Sequence, residues 1–137
     1  MNIVQAYPPN IAKIKLVFPL HPGIVFAYGD TLYNPDNGPV DIALMAHEKT
    51  HQKQQGADPE GWWDRYIVDM NFRASQEIEA YQNQYKKAKT LIADKNKLAR
   101  LLDVLASDLA SPMYGSCMTK SEAKKAIIHP RPIRFHV

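Results

Sequence analysis

The chain has 137 residues, of which 45% are hydrophobic and 23% charged. That length argues for one domain able to bury roughly two-thirds of its unfolded surface, and the composition excludes a disordered chain. An excess of 17 Lys+Arg over 14 Asp+Glu gives +3, too weak and scattered to argue for nucleic acid, and no apolar run approaches the roughly 18 residues of a membrane span.

The opening residues, MNIVQAYPPN, show no basic stretch leading into an apolar one, so no secretory signal is read. The single cysteine, Cys117, cannot form an internal disulfide, which fits a cytoplasmic location. Residues 1–39 read as β-rich, broken by turns. Residues 11–18 carry β-branched side chains in partial alternation, and 23–28 form a second short run. Gly29-Asp30 joins that run to Thr31-Leu-Tyr33 as a tight hairpin. Asn34-Pro-Asp-Asn-Gly-Pro39 is turn chemistry.

Residues 40–128 read as helical. Asp41 caps a helix over 42–55, and Gly56 stops it. Asp58-Pro59 opens a second helix, with Trp62, Trp63, Tyr66 and Ile67 at helical spacing. A third runs from about 72 through 88. A fourth, over 97–109, carries a stripe of Leu98, Leu101, Leu102, Leu105 and Leu109 and ends at Ser111-Pro112. Thr119 and Glu122 form a capping box that opens a short helix to Ile128. The proline-containing stretch 129–137 reads as an extended tail. The expected fold class is α+β, a small N-terminal sheet packed on a mainly helical domain.

His47-Glu-Lys-Thr-His51 is an HExxH motif on the 42–55 helix. Residues i and i+4 share a helical face, so both imidazoles can reach one metal ion. Glu48 is rotated by about 100°, close to that ion without competing for it. Two neutral imidazoles and one carboxylate suit Zn²⁺ with an open fourth position. There the metal acidifies a water, and Glu48 can act as general base and then acid.

Twenty-five residues after His51 comes Gln76-Glu-Ile-Glu-Ala-Tyr81, which can supply the carboxylate from a following helix. Its two acids lie about 200° apart around the helix axis, so only one can meet the histidines. Glu77 shares its face with Arg73, Ala80 and Tyr81. Glu79 shares one with Gln76, Gln82 and Asn83, which reads as solvent. Glu77 is therefore the expected ligand and Glu79 its rival.

With these two motifs the chain resembles the gluzincin-type metallopeptidases over about residues 30–85. It is also similar to small HExxH proteins of bacterial and prophage genomes. The resemblance implies a zincin-like domain hydrolysing peptide bonds of a peptide or protein substrate. Its Zn²⁺ ligands would be His47, His51 and Glu77, with Glu48 catalytic. The family pattern, ExxAD or ExxSD, is matched by Glu77-x-x-Ala80 but departs at Tyr81. In the family that last acid orients the first histidine. Here a tyrosine hydroxyl, a backbone carbonyl, Asp64 or Asp69 is left to hold the ring nitrogen.

Other residues carry two readings each. Arg73, four before Glu77, can orient the ligand carboxylate, bind a substrate carboxylate or form a structural ion pair, the last preferred. Tyr66 or Tyr81 can stabilise an oxyanion or serve as amphipathic core-edge residues. Trp62 and Trp63 read as core before cleft. Thr31-Leu-Tyr33 is either a plain hairpin arm or an edge strand along which an extended peptide lies. Cys117 reads as a buried thiol before an inhibitory zinc thiolate, and His21, His129 and His136 as non-ligating. Lys86, Lys87 and Lys89 read as a solvated helix face. Two rival functions stand beside the peptidase. One is a phage-associated metal-binding structural or interaction protein without efficient catalysis, and the other is a zinc amidase acting on peptidoglycan stem peptides.

Overall fold

A computed structural model describes residues 1–129; the expected extended tail lies outside them apart from His129. The fold is α+β. Three short strands, β1 (Asn2–Val4), β2 (Phe26–Tyr28) and β3 (Thr31–Tyr33), form one sheet in the order β1-β3-β2. β2 and β3 are antiparallel with Tyr28 opposite Thr31, and β1 runs parallel to β3 with Asn2 opposite Thr31. The expected hairpin is present. Gly29 has φ 61°, the left-handed value that a two-residue hairpin turn needs at its first position.

Two readings of the N-terminal region are corrected. Residues 11–18 are no strand: they contain α1 (Ile11–Lys15). Ile11, Ile14 and Phe18 turn inward while Ala12, Lys13 and Lys15 are exposed, a helical period and not an alternating one. Thr31-Leu-Tyr33 is the central strand of the sheet, so it offers no open edge to a peptide. β1, three exposed residues at the chain start, covers that edge.

The helices are α2 (Ile42–Gln55), α3 (Pro59–Val68), α4 (Met70–Leu91), α5 (Lys95–Leu109) and α6 (Lys120–Ile128). Each opens on a side-chain cap. Asp41 accepts from the Leu44 N–H at 2.7 Å, Asp58 from Gly61 at 2.9 Å, Asp69 from Phe72 at 2.9 Å and Asp94 from Asn96 at 2.8 Å. Thr119 and Glu122 exchange both bonds of the capping box, at 3.1 and 2.9 Å. Because Asp69 caps α4, that helix starts two residues earlier than expected.

Two apolar clusters flank the middle of the molecule. One joins Ile78 and Tyr81 of α4 to Leu105 and Leu109 of α5, Tyr114 of a short 3₁₀ turn, and Ile127 of α6. The other joins Ile14, Phe18 and Phe26 to Trp62, Trp63 and Tyr66 of α3. Between them, α2 and α4 pack against each other more extensively than any other pair of elements. Ala80 of α4 is fully buried. Among the described residues no helix is long and apolar enough to cross a membrane.

Candidate metal centre

The buried face of α2 is mostly polar. Ala43, His47, Glu48, His51 and Gln55 recur at helical spacing and are all shielded from solvent. A helix that buries imidazoles and a carboxylate needs partners for them, and α4 supplies these. Glu77 is 4% exposed and aims at both rings. His47 Nε2 lies 3.0 Å from Glu77 Oε1, His51 Nε2 lies 3.1 Å from Glu77 Oε2, and the two Nε2 atoms are 3.2 Å apart.

These separations fit a shared ion. Ligand atoms about 2.0–2.1 Å from a tetrahedral zinc stand roughly 3.3–3.4 Å from one another. Three donors of the N, N, O type already at nearly that spacing need only small shifts to enclose a cation. The three residues form a buried group whose ligand atoms all lie within 4.8 Å of one another, positioned to bind a metal ion. Glu77 is thus the acid that meets the histidines. Glu79 is exposed and accepts a hydrogen bond from Gln54 Nε2 at 3.0 Å.

Amides hold the far side of both rings. Gln84 Oε1 is 2.9 Å from His47 Nδ1, and Gln54 Oε1 is 2.9 Å from His51 Nδ1. An Nδ1–H donated to an amide oxygen leaves the Nε2 lone pair for a metal. The orienting partner of His47 is therefore Gln84, not Asp64, Asp69 or the Tyr81 hydroxyl. Asp64 pairs with Lys13 at 3.1 Å, and Asp69 caps α4. Tyr81 instead sets its ring edge-on to His47, with centroids 4.7 Å apart.

Tyr66 donates its hydroxyl to Glu77 Oε2 at 2.7 Å. Burial, reinforced by the Glu77 carboxylate, holds its pKa well above the usual value, so it stays a donor. Its proton serves the ligand carboxylate and is not free for an oxyanion. Arg73 also differs from expectation. Its guanidinium bonds the carbonyls of Tyr66 (2.8 Å), Ile67 (2.7 Å) and Met113 (2.7 Å), tying the end of α3 to the 3₁₀ turn. None of those bonds goes to Glu77 or to another ion.

The charges shape each other. Burial would lower the His51 pKa, but the adjacent Glu77, aided by Glu48, raises it to about 9. Burial pushes the Glu77 carboxyl up, and His51 and His47 outweigh that, holding it well below the usual carboxylate range. Burial raises Glu48, with the histidines pulling it back only in part.

His47, Glu48, His51 and Glu77 border a cavity of about 490 Å³ whose walls include Phe18, Phe26, Trp63 and Tyr114. Trp62 and Trp63 are core residues, as expected, and line this cavity too. Cys117 is exposed, contrary to the buried thiol expected, because it sits in the loop before α6. Lys86, Lys87 and Lys89 are exposed as expected. Gln54, Gln84 and Tyr114 went unread in the sequence. Gln84 lies seven residues, two helical turns, beyond Glu77, a spacing that marks the same face; nothing in the sequence marks Tyr114.

Comparison of the chain with protein-family models, curated proteins and solved structures finds no match. The residues and their geometry therefore carry the functional argument.

Proposed function

We propose that the chain is a zinc-dependent metallopeptidase of gluzincin type. The observation that carries this reading is Glu48. A second, non-ligating carboxylate lies on the cavity wall next to three converging ligand atoms. A site that only stores a metal has no need of it. The borderline imidazoles and hard carboxylate suit zinc, and three protein ligands leave a position open to the cavity.

A zinc ion held by His47, His51 and Glu77 would acidify a water and polarise a carbonyl oxygen. Glu48 takes the proton from the attacking water and returns it to the departing amine. Its burial favours this, since a raised pKa makes the carboxylate a better proton acceptor. Tyr66 and the two glutamines keep the ligands aimed. The apolar walls admit substrate side chains and exclude bulk water.

The test is cleavage of a random peptide library by the zinc-loaded chain. Parent protein is expected to cleave, and Glu48→Gln to keep its zinc while losing activity by about 10²–10⁴-fold. A zinc-loaded parent that cleaves no peptide overturns the reading. Cleavage confined to peptidoglycan stem peptides would assign the amidase instead.

A second reading draws on the amides. Neutral Gln84 and Gln54 stand where a carboxylate would make the histidines more basic. A weaker centre of that kind suits a metal-binding interaction protein, which would hold zinc yet cleave nothing.

A further inference from the structure

Gln54 occupies an unusual position. It follows His51 by three residues on α2, so its amide reaches back to the His51 ring. Its Oε1 lies 2.9 Å from His51 Nδ1. Its Nε2 bonds two acceptors on α4, the Gln76 carbonyl and the Glu79 carboxylate, each at 3.0 Å.

Those two acceptors decide which way the amide points. A carbonyl and a carboxylate offer only lone pairs, so the NH₂ must face them and the oxygen must face the ring. Flipping the amide would set its oxygen against two other oxygens and lose both bonds. With an oxygen facing it, His51 Nδ1 carries a proton. The Nε2 atom is then the one free to bind a metal. No second acceptor is seen to fix the Gln84 amide at His47 in the same way among the described residues.

We propose that Glu79 is a positioning residue for the metal centre, acting through the Gln54 amide to hold His51 as the Nδ1–H tautomer with its Nε2 lone pair aimed at the ion. This rests on the metal-binding reading of His47, His51 and Glu77, and not on peptide hydrolysis. It gives the exposed carboxylate a role distinct from ligation. It also supplies, one residue removed, an anionic partner of the kind that the amides otherwise leave missing.

The test uses the full chain, with zinc ion as the only ligand. Zinc affinity is read by competition with a chromophoric chelator, and ring tautomers by ¹⁵N NMR of the metal-free protein in alkaline solution. Glu79→Ala is expected to weaken zinc about tenfold, and Gln54→Leu by about 10–100-fold. In both variants the His51 ring nitrogen shifts should move toward mixed tautomers while those of His47 hold. Glu79→Gln keeps an oxygen acceptor for the Gln54 NH₂ and should hold zinc close to the parental affinity. Parental zinc affinity and unchanged His51 shifts in Glu79→Ala would overturn the relay while leaving the metal centre intact. So would a Glu79→Gln variant that loses as much zinc affinity as Glu79→Ala. Failure of the parent itself to bind zinc would overturn both readings.

Discussion

His47 and His51 bring their Nε2 atoms to within 3.2 Å of each other, and Glu77 caps the pair with one oxygen toward each ring. Like poles of two imidazoles do not approach so closely unless something positive lies between them, whether a proton or a metal ion. Removing any one of the three ligands should therefore cost more zinc affinity than the roughly 10–100-fold typical of an outer partner. His47→Ala, His51→Ala and Glu77→Ala are expected to lose most of their zinc on dialysis, measured by elemental analysis. Full occupancy in His47→Ala and His51→Ala would contradict the assignment.

Zinc binding should release a proton. In the metal-free chain His51 has a pKa raised to about 9, so at pH 7 it is protonated, and the proton on Nε2 must leave before a metal can bind. Calorimetry in buffers of different ionisation enthalpy is expected to show close to one proton released per zinc. Apparent affinity should climb about tenfold per pH unit and level off near pH 9. A flat profile between pH 6 and 9 would count against this electrostatic picture.

The same shifts set the stability of the metal-free protein. The folded His51 pKa exceeds its ordinary 6.5, so its contribution is complete below that value and is lost as pH rises through about 9. The folded Glu77 pKa lies below its ordinary 4.5, so its contribution is complete above 4.5 and is lost as pH falls. Thermal melts should therefore give the highest Tm between about 4.5 and 6.5, with a decline on the alkaline side that saturating zinc removes. A metal-free Tm that rises from pH 6.5 to 9 would contradict the pairing.

Arg73 is expected to matter for stability and not for metal. Arg73→Met leaves three carbonyls without their donor and should destabilise by about 3 kcal/mol or more, read by urea unfolding. Zinc affinity of the folded fraction should stay near the parental value. A selective loss of zinc in a stably folded variant would show that the guanidinium does act on Glu77.

Much of the site could be read from sequence because its signals are local. Asp41 and Gly56 mark the HExxH helix, and the rotation between Glu77 and Glu79 separates ligand from surface. What could not be read depends on long-range packing. The 11–18 segment has β-branched residues at a helical period, and burial of Ile14 and Phe18 against α3 decides in favour of the helix. Thr31-Leu-Tyr33 becomes central only because Asn2–Val4, too short to read, pairs beside it. Gln84 has the right spacing from Glu77, but a glutamine on a helix carries no local mark of a histidine partner.

The most direct test of the account is metal analysis of the purified chain with zinc X-ray absorption spectroscopy. The expected result is one zinc per chain, bound by two imidazole nitrogens and a carboxylate oxygen at about 2.0–2.2 Å. That signal should vanish in His47→Ala and Glu77→Ala and survive in Glu48→Gln. A chain that takes up no stoichiometric metal, or binds zinc unchanged without His47 and Glu77, would contradict it.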